Sequence, residues 1–188
     1  VINGVLATKS KHIIPDGRTF SYVLSHGKHF IQITQNDVRA VQLAKAALYA
    51  GIRLLMERME TEIVDRIRLA GAFGSHIDVK YAMVLGLIPD CNLEYVSSAG
   101  NAAGTGARIA LLNYESRKEI EEIVRQVEKV ETAVEVKFQE HFVDAMAFPH
   151  KTDSFPNLAK AVVLPSETNV HNKSDTNLLR KKRRHKKR

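Results

Sequence analysis

The residues with the clearest chemical potential form a glycine bracket, Gly71-Ala72-Phe73-Gly74, closing the apolar run that ends at Leu69 and Ala70. Glycine removes the Cβ that would otherwise keep a flat ligand from the backbone, and in α/β sheets ligands bind at the carboxyl ends of strands. The same four residues also suit a plain strand end, with glycine as punctuation and Phe73 as core. Gln42 and Lys45 lie three apart in a helical pattern, so both face one side, either toward a ligand or toward solvent. A second small-residue stretch, "GNAAGTGARIALL" (100–112), lacks the Lys and Ser/Thr order of a P-loop and is not read as a phosphate cradle.

Other reactive side chains form no constellation. His26, His29, His76, His141 and His150 are scattered, with no pair at the spacing of a metalloprotease helix. His76 flanks the glycine bracket and reads as an exposed turn residue. Cys91 reads as a bystander thiol, and Ser97 and Ser98 have no evident base. "PDGRTF" holds Asp16, Gly17 and Thr19, but Arg18 interrupts an Asp-x-Gly-Thr phosphate turn.

The elements that must position these residues follow from the hydrophobic period. Residues 1–35 read as strands, with a turn at Pro15-Asp16-Gly17 and a hairpin around His26-Gly27-Lys28. A long helix follows, capped by Asn36 or Asp37, with Val38, Val41, Leu43, Ala44, Leu48, Ile52, Leu55, Met56 and Met59 mostly on one face. Ile67, Leu69 and Ala70 suit a buried strand, and a short helix from Asp78 ends at Gly86 and Pro89. "NLEYVSSAG" reads as a strand and "NAAGTGARIALLNY" as a helix. "SRKEIEEIVRQVEKV" reads as a surface helix with Ile120, Ile123, Val124 and Val127 inward, "TAVEVKF" as a final strand, and "FQEHFVDAMAFPH" as a helix stopping before Pro149. Alternation of strands and helices over 63–148 indicates an α/β layered domain.

A chain of 188 residues with 44% hydrophobic content can bury a core. No apolar run has membrane-spanning length and no signal-type N-terminus is present, so a soluble cytoplasmic protein is expected. One cysteine allows no intrachain disulfide and no cysteine-based cluster. The formal charge of +7 is concentrated at one end: residues 180–188, "RKKRRHKKR", hold eight Lys or Arg, and the remainder carries 20 basic against 21 acidic side chains. Disorder is expected from about Ser166. The terminal block suits weak, sequence-independent polyanion contact; the alternatives are a solubilising tail or an artefact of cloning or frameshift. The start at Val1 points to a processed chain or a piece of a longer one.

Taken in order, "DVRAVQLAKAALYAGIRLL", "LAGAFGSHIDVKYAMVLGLIPD", "SSAGNAAGTGARIALLN" and "EHFVDAMAFPH" resemble the C-terminal half of reductive activators of corrinoid proteins. These belong to the superfamily of acetate and sugar kinases, heat-shock chaperones and actin. The resemblance covers about residues 1–158. It implies an actin/ribonuclease-H-like α/β lobe with a mixed sheet flanked by helices: a strand-rich segment over 1–36, an ATP-binding-type lobe over 37–158, and a disordered polar and basic tail over 166–188. It implies ATP with Mg2+, with Gly71, Ala72, Phe73 and Gly74 lining adenine and ribose and with Gln42 and Lys45 as ribose candidates. It further implies reduction of corrinoid cobalt from Co(II) to Co(I), a corrinoid protein or corrinoid methyltransferase as partner, and an iron-sulfur cluster held elsewhere in the parent protein. A homodimer is compatible with it. By the same resemblance the helix from Gly100 packs against its counterpart in the other lobe. The phosphate-binding turns and cluster ligands are lacking here, so the expectation is a C-terminal portion of an activator, a fragment or a free-standing product that hydrolyses ATP poorly. The alternatives are a lobe of a small-molecule kinase of that superfamily and a nonenzymatic binding module with a polyanion-binding tail.

Overall fold

A computed structural model describes residues 11–164. The expected disorder over 166–188 and the basic block lie outside the described residues. The chain divides into two compact units, with the boundary after Arg39 and the second unit running from Ala40 to Leu164.

In the first unit, β1 (Ile13–Asp16), β2 (Thr19–His26) and β3 (Phe30–Ile33) form an antiparallel meander. The Asp16-Gly17-Arg18-Thr19 turn closes the first hairpin, with Gly17 at φ +59° and the Asp16 carboxylate accepting a 2.6 Å bond from the Ser21 hydroxyl. Its acidic residue, glycine and threonine are thus occupied in making a turn.

Helix α1 spans Gln35–Arg58. Its cap is Thr34, not Asn36 or Asp37. The Thr34 hydroxyl accepts from the Asp37 amide and the Asp37 carboxylate accepts from the Thr34 amide at 2.8 Å, a reciprocal box with Asp in place of the usual Glu. Its buried face also differs from the expected stripe. Lys45, Ala46, Tyr49, Ala50, Leu54 and Met56 are buried, whereas Val41, Leu43, Leu48, Leu55 and Met59 are exposed. Small and long amphipathic side chains let this face lie close to the rest of the second unit, which a count of aliphatic residues does not register.

The second unit continues with β4 (Ile67–Ala70), α2 (Gly71–His76), α3 (Val79–Leu85), β5 (Val96–Gly100), α4 (Ala102–Leu112), α5 (Tyr114–Gln126), α6 (Phe138–Asp144) and α7 (Pro156–Ala161). β4 and β5 pair in parallel, so both pairing senses of the expected mixed sheet occur, divided between two sheets. The core joins Ala46 and Tyr49 of α1, Ala82 and Met83 of α3, Ile88, Cys91, Val96, Ala145, Phe155 and Leu158. Asp78 caps α3 and Gly86 ends it in the left-handed region at φ +70°.

Two expectations fail here. "TAVEVKF" is a 3₁₀ turn over Thr132–Val134 and then irregular chain; Val134 and Val136 are 77% and 93% exposed, and no described strand edge pairs with them. A β-rich composition needs a partner strand to become β structure. In α5 and at its C-cap, Ile120, Ile123, Val124 and Val127 are exposed, and neither α4 nor α5 buries any side chain.

Candidate functional site

The parallel register aligns Ala70 with Gly100, so the turns β4–α2 and β5–α4 leave the sheet side by side at its carboxyl edge. Each opens on a glycine of positive φ: Gly71 at +90° and Gly100 at +60°. A Cβ built on either would enter open space, so both backbones are accessible there and only glycine adopts these torsions without strain. Gly74 differs: it is buried, and a Cβ would stand 2.6 Å from the Leu69 carbonyl oxygen, so packing of α2 onto β4 already requires glycine. Ala72 is exposed, and the Ser75 hydroxyl donates to the Gly71 carbonyl at 2.9 Å. Across the edge, the Gly100 amide donates to the Ser98 hydroxyl and the Asn101 side chain caps α4 through the Gly104 amide at 2.9 Å.

Gln42 and Lys45 are engaged elsewhere. With Tyr49 and Arg53 they form one polar stripe along α1, at intervals of three, four and four residues, that grips the segment 146–153. Gln42 Nε2 donates to the Met146 carbonyl at 3.0 Å. Lys45 Nζ donates to the carbonyls of Ala147 and of Pro149, the latter at 2.6 Å, and lies 5.1 Å from the Phe148 ring centre. The Tyr49 hydroxyl donates to Asp153 at 2.7 Å, and Arg53 Nε stands 3.7 Å from the same carboxylate. Lys45 is fully buried with no carboxylate partner among the described residues, and burial pushes its ammonium down to about 8. Burial, then the bond to Asp153, drives the Tyr49 phenol far above its ordinary value. Gly86 belongs to the same clasp, since a Cβ there would overlap the Pro149 carbonyl oxygen and come within 3.0 Å of Lys45 Nζ.

Beside this clasp lies a cavity of about 350 Å³ lined by Tyr49, Arg53, Asp90, Asp153 and their neighbours. Its Asp90 carboxylate is already committed: it accepts from the Asn157 and Leu158 amides and from the Asn157 side chain, capping α7.

Among the remaining sequence candidates, His76 is exposed, as expected, but it is the last residue of α2 and not a turn residue. Cys91 is buried with Sγ 3.5 Å from the Asp65 carbonyl oxygen. Burial and the nearby Asp90 and Asp65 raise its thiol, the opposite of an activated nucleophile. His141 Nε2 stands 3.1 Å from Glu57. Among the described residues no three His, Cys, Asp or Glu side chains gather as a metal shell, and no described helix is long and apolar enough to cross a membrane. Sequence reasoning missed Gly100 and Asn101. Their signal is the repeated Ala-Gly pair, Ala70-Gly71 and Ala99-Gly100, ending both parallel strands.

A parallel strand pair with adjoining glycine turns, flanked by helices, makes the second unit an α/β lobe, and the family match places it in the actin-like class. The chain belongs to the family described as the C-terminal domain of RACo, the ASKHA domain, whose model matches residues 2–159. It is 45% identical over 119 residues to the corrinoid activation enzyme RamQ of Eubacterium limosum, a match covering 62% of this chain and 20% of that protein. It also resembles the solved reductive activator for corrinoid, iron-sulfur protein, with a TM-score of 0.63 and 33% identity over 74% of this chain and 23% of the other. The chain thus spans about a fifth to a quarter of the length of these relatives.

Proposed function

We propose that this chain is the nucleotide-binding portion of an ATP-dependent reductive activator that returns the cobalt of a corrinoid methyl-transfer protein from Co(II) to Co(I), in the cytoplasm. The observation that carries the reading is the pairing of Ala70 with Gly100 at the carboxyl ends of two parallel strands, which brings the positive-φ glycines Gly71 and Gly100 to one edge, in a chain of this family. Open space over both glycines fits the flat face of adenosine, with Gly71, Ala72 and Phe73 on one side, held there by the close packing of Gly74 on β4, and Gly100 and Asn101 on the other. Bound ATP supplies the free energy for the uphill reduction. The described residues fit the nucleoside better than its metal: no acidic cluster among them suits Mg2+, and one cysteine cannot furnish an iron-sulfur cluster. Gln42 and Lys45 serve this site indirectly, by fixing α1 to the 146–153 segment. A corrinoid protein or methyltransferase is the partner, and nucleotide affinity is linked to partner affinity through domain closure.

Titration with a fluorescent ATP analogue tests the site. Gly71→Val abolishes binding by putting a branched side chain into the open space, and Ala72→Glu does so without backbone strain, since an acidic residue in the first turn of a helix is well tolerated. Two folded variants with the affinity of the parent chain would overturn the assignment.

The eight Lys or Arg in residues 180–188 support a second, separable activity, weak polyanion contact. Its mark is nucleic-acid affinity that falls steeply with salt and vanishes when those residues are deleted. Affinity unchanged by the deletion sinks it.

A further inference from the structure

His150 is the least conventional side chain in the second unit. Its side chain is 4% exposed, its ring lies against Tyr49 with centroids 4.7 Å apart, and its Nδ1 accepts from two consecutive main-chain amides, Asp153 at 2.9 Å and Thr152 at 3.3 Å. A nitrogen accepting two N–H groups carries no proton, so the neutral ring holds its proton on Nε2. That atom is buried without a hydrogen-bond partner among the described residues. The ring therefore replaces a missing backbone acceptor at the turn 150–153.

We propose that His150 is a proton-operated latch, which closes this turn while neutral and releases it on protonation. A proton on Nδ1 turns the acceptor into a donor facing two N–H donors, so both turn bonds are lost together, and the Thr152 hydroxyl, 3.4 Å away, is the group already in reach to accept it. The charged groups around the ring oppose one another. From α1, Lys45 and Arg53 resist a second cation and Tyr49 covers the ring face, whereas Asp144 at the end of α6 and Asp153 within the turn favour one. The Asp153 carboxylate, 3.8 Å from Nδ1, is placed to take the new proton's hydrogen bond once the turn has opened. Burial outweighs the carboxylates and holds the imidazole below its ordinary value, so the closed turn is the neutral-pH form. Release has a defined structural cost. Thr152, Asp153 and Ser154 form one wall of the cavity, and the next residue, Phe155, is buried in the core. Acid thereby opens the cavity from the side of this turn, at a place separate from the glycine edge.

The test is NMR on the full chain. Two-bond nitrogen–proton correlations read the His150 tautomer near neutral pH, and amide exchange reads protection at Thr152 and Asp153 as pH falls toward 5. The expected result is the Nε2–H tautomer, with protection of both amides dropping about tenfold or more on acidification, the scale of one lost hydrogen bond. The amides of Ala46 and Tyr49 stay protected. His150→Gln supplies an amide oxygen that accepts but does not titrate, so protection in this variant is independent of pH. An Nδ1–H tautomer, equal protection across the range, or a His150→Gln variant that responds like the parent chain would overturn the proposal.

Discussion

The hydroxyl of Tyr49 donates a 2.7 Å bond to the carboxylate of Asp153, a residue 104 positions further along the chain. With the Gln42 and Lys45 bonds it makes α1 the support on which the segment 146–153 is laid. Tyr49→Phe keeps the ring against His150 and Phe155 but leaves a half-buried carboxylate short of one donor. The expected loss is about 1–3 kcal/mol in urea unfolding, with the slope unchanged. A loss below about 0.5 kcal/mol would mean that water satisfies Asp153 unaided.

Lys45 gives stability a signature in alkali. Its folded ammonium titrates near 8 against 10.5 for an ordinary lysine, so between these values the unfolded chain binds more protons. Stability should then rise with pH across that window, because the penalty of burying the charge is relieved only above the folded value. Lys45→Met, which keeps the stem but removes the donor, is destabilised by about 1–3 kcal/mol at pH 7 and lacks this rise. A variant curve parallel to that of the parent chain from pH 8 to 10.5 would contradict the burial of a charged amine.

Two glycines in helical surroundings should respond in opposite ways. Gly86→Ala combines φ +70° with overlap on the Pro149 carbonyl, and is expected to cost more than about 3 kcal/mol or to prevent folding. Gly106→Ala, inside α4 with open space at its Cβ, should stabilise by up to about 1 kcal/mol. Thermal melts of the pair decide this, and similar melting temperatures would refute it.

Asp90→Ala removes the acceptor of three bonds from α7. Loss of this cap should cost about 1–2 kcal/mol and expose residues 150–164 to limited proteolysis before the rest of the chain. Simultaneous cleavage throughout would show that α7 is not a separate weak point.

Legibility in the sequence follows the range of the interactions. The Pro-Asp-Gly turn, the α3 helix with its Asp78 cap and Gly86 stop, and the strand before Gly71 are local and were readable from turn and cap chemistry. The buried face of α1 was not, because Lys45 and Tyr49 go inward to meet carbonyls and a carboxylate about 100 residues away. "TAVEVKF", residues 132–138, has strand composition and no described strand beside it. At the candidate site, the bracket 71–74 was visible, whereas Gly100 joins it only through the parallel register. The cavity walls come from four separate stretches of chain and leave no local pattern.

The capping of α7 by Asp90 bears on the order in which the chain assembles. A helix of six residues is too short to persist alone, and its first amides find their acceptor 67 residues back in sequence. During synthesis the Asp90 loop leaves the ribosome well before Pro156 does. The loop waits with its carboxylate in water, and α7 condenses onto it as one of the last pieces of the second unit, closing the core with Phe155 and Leu158 behind the advancing chain.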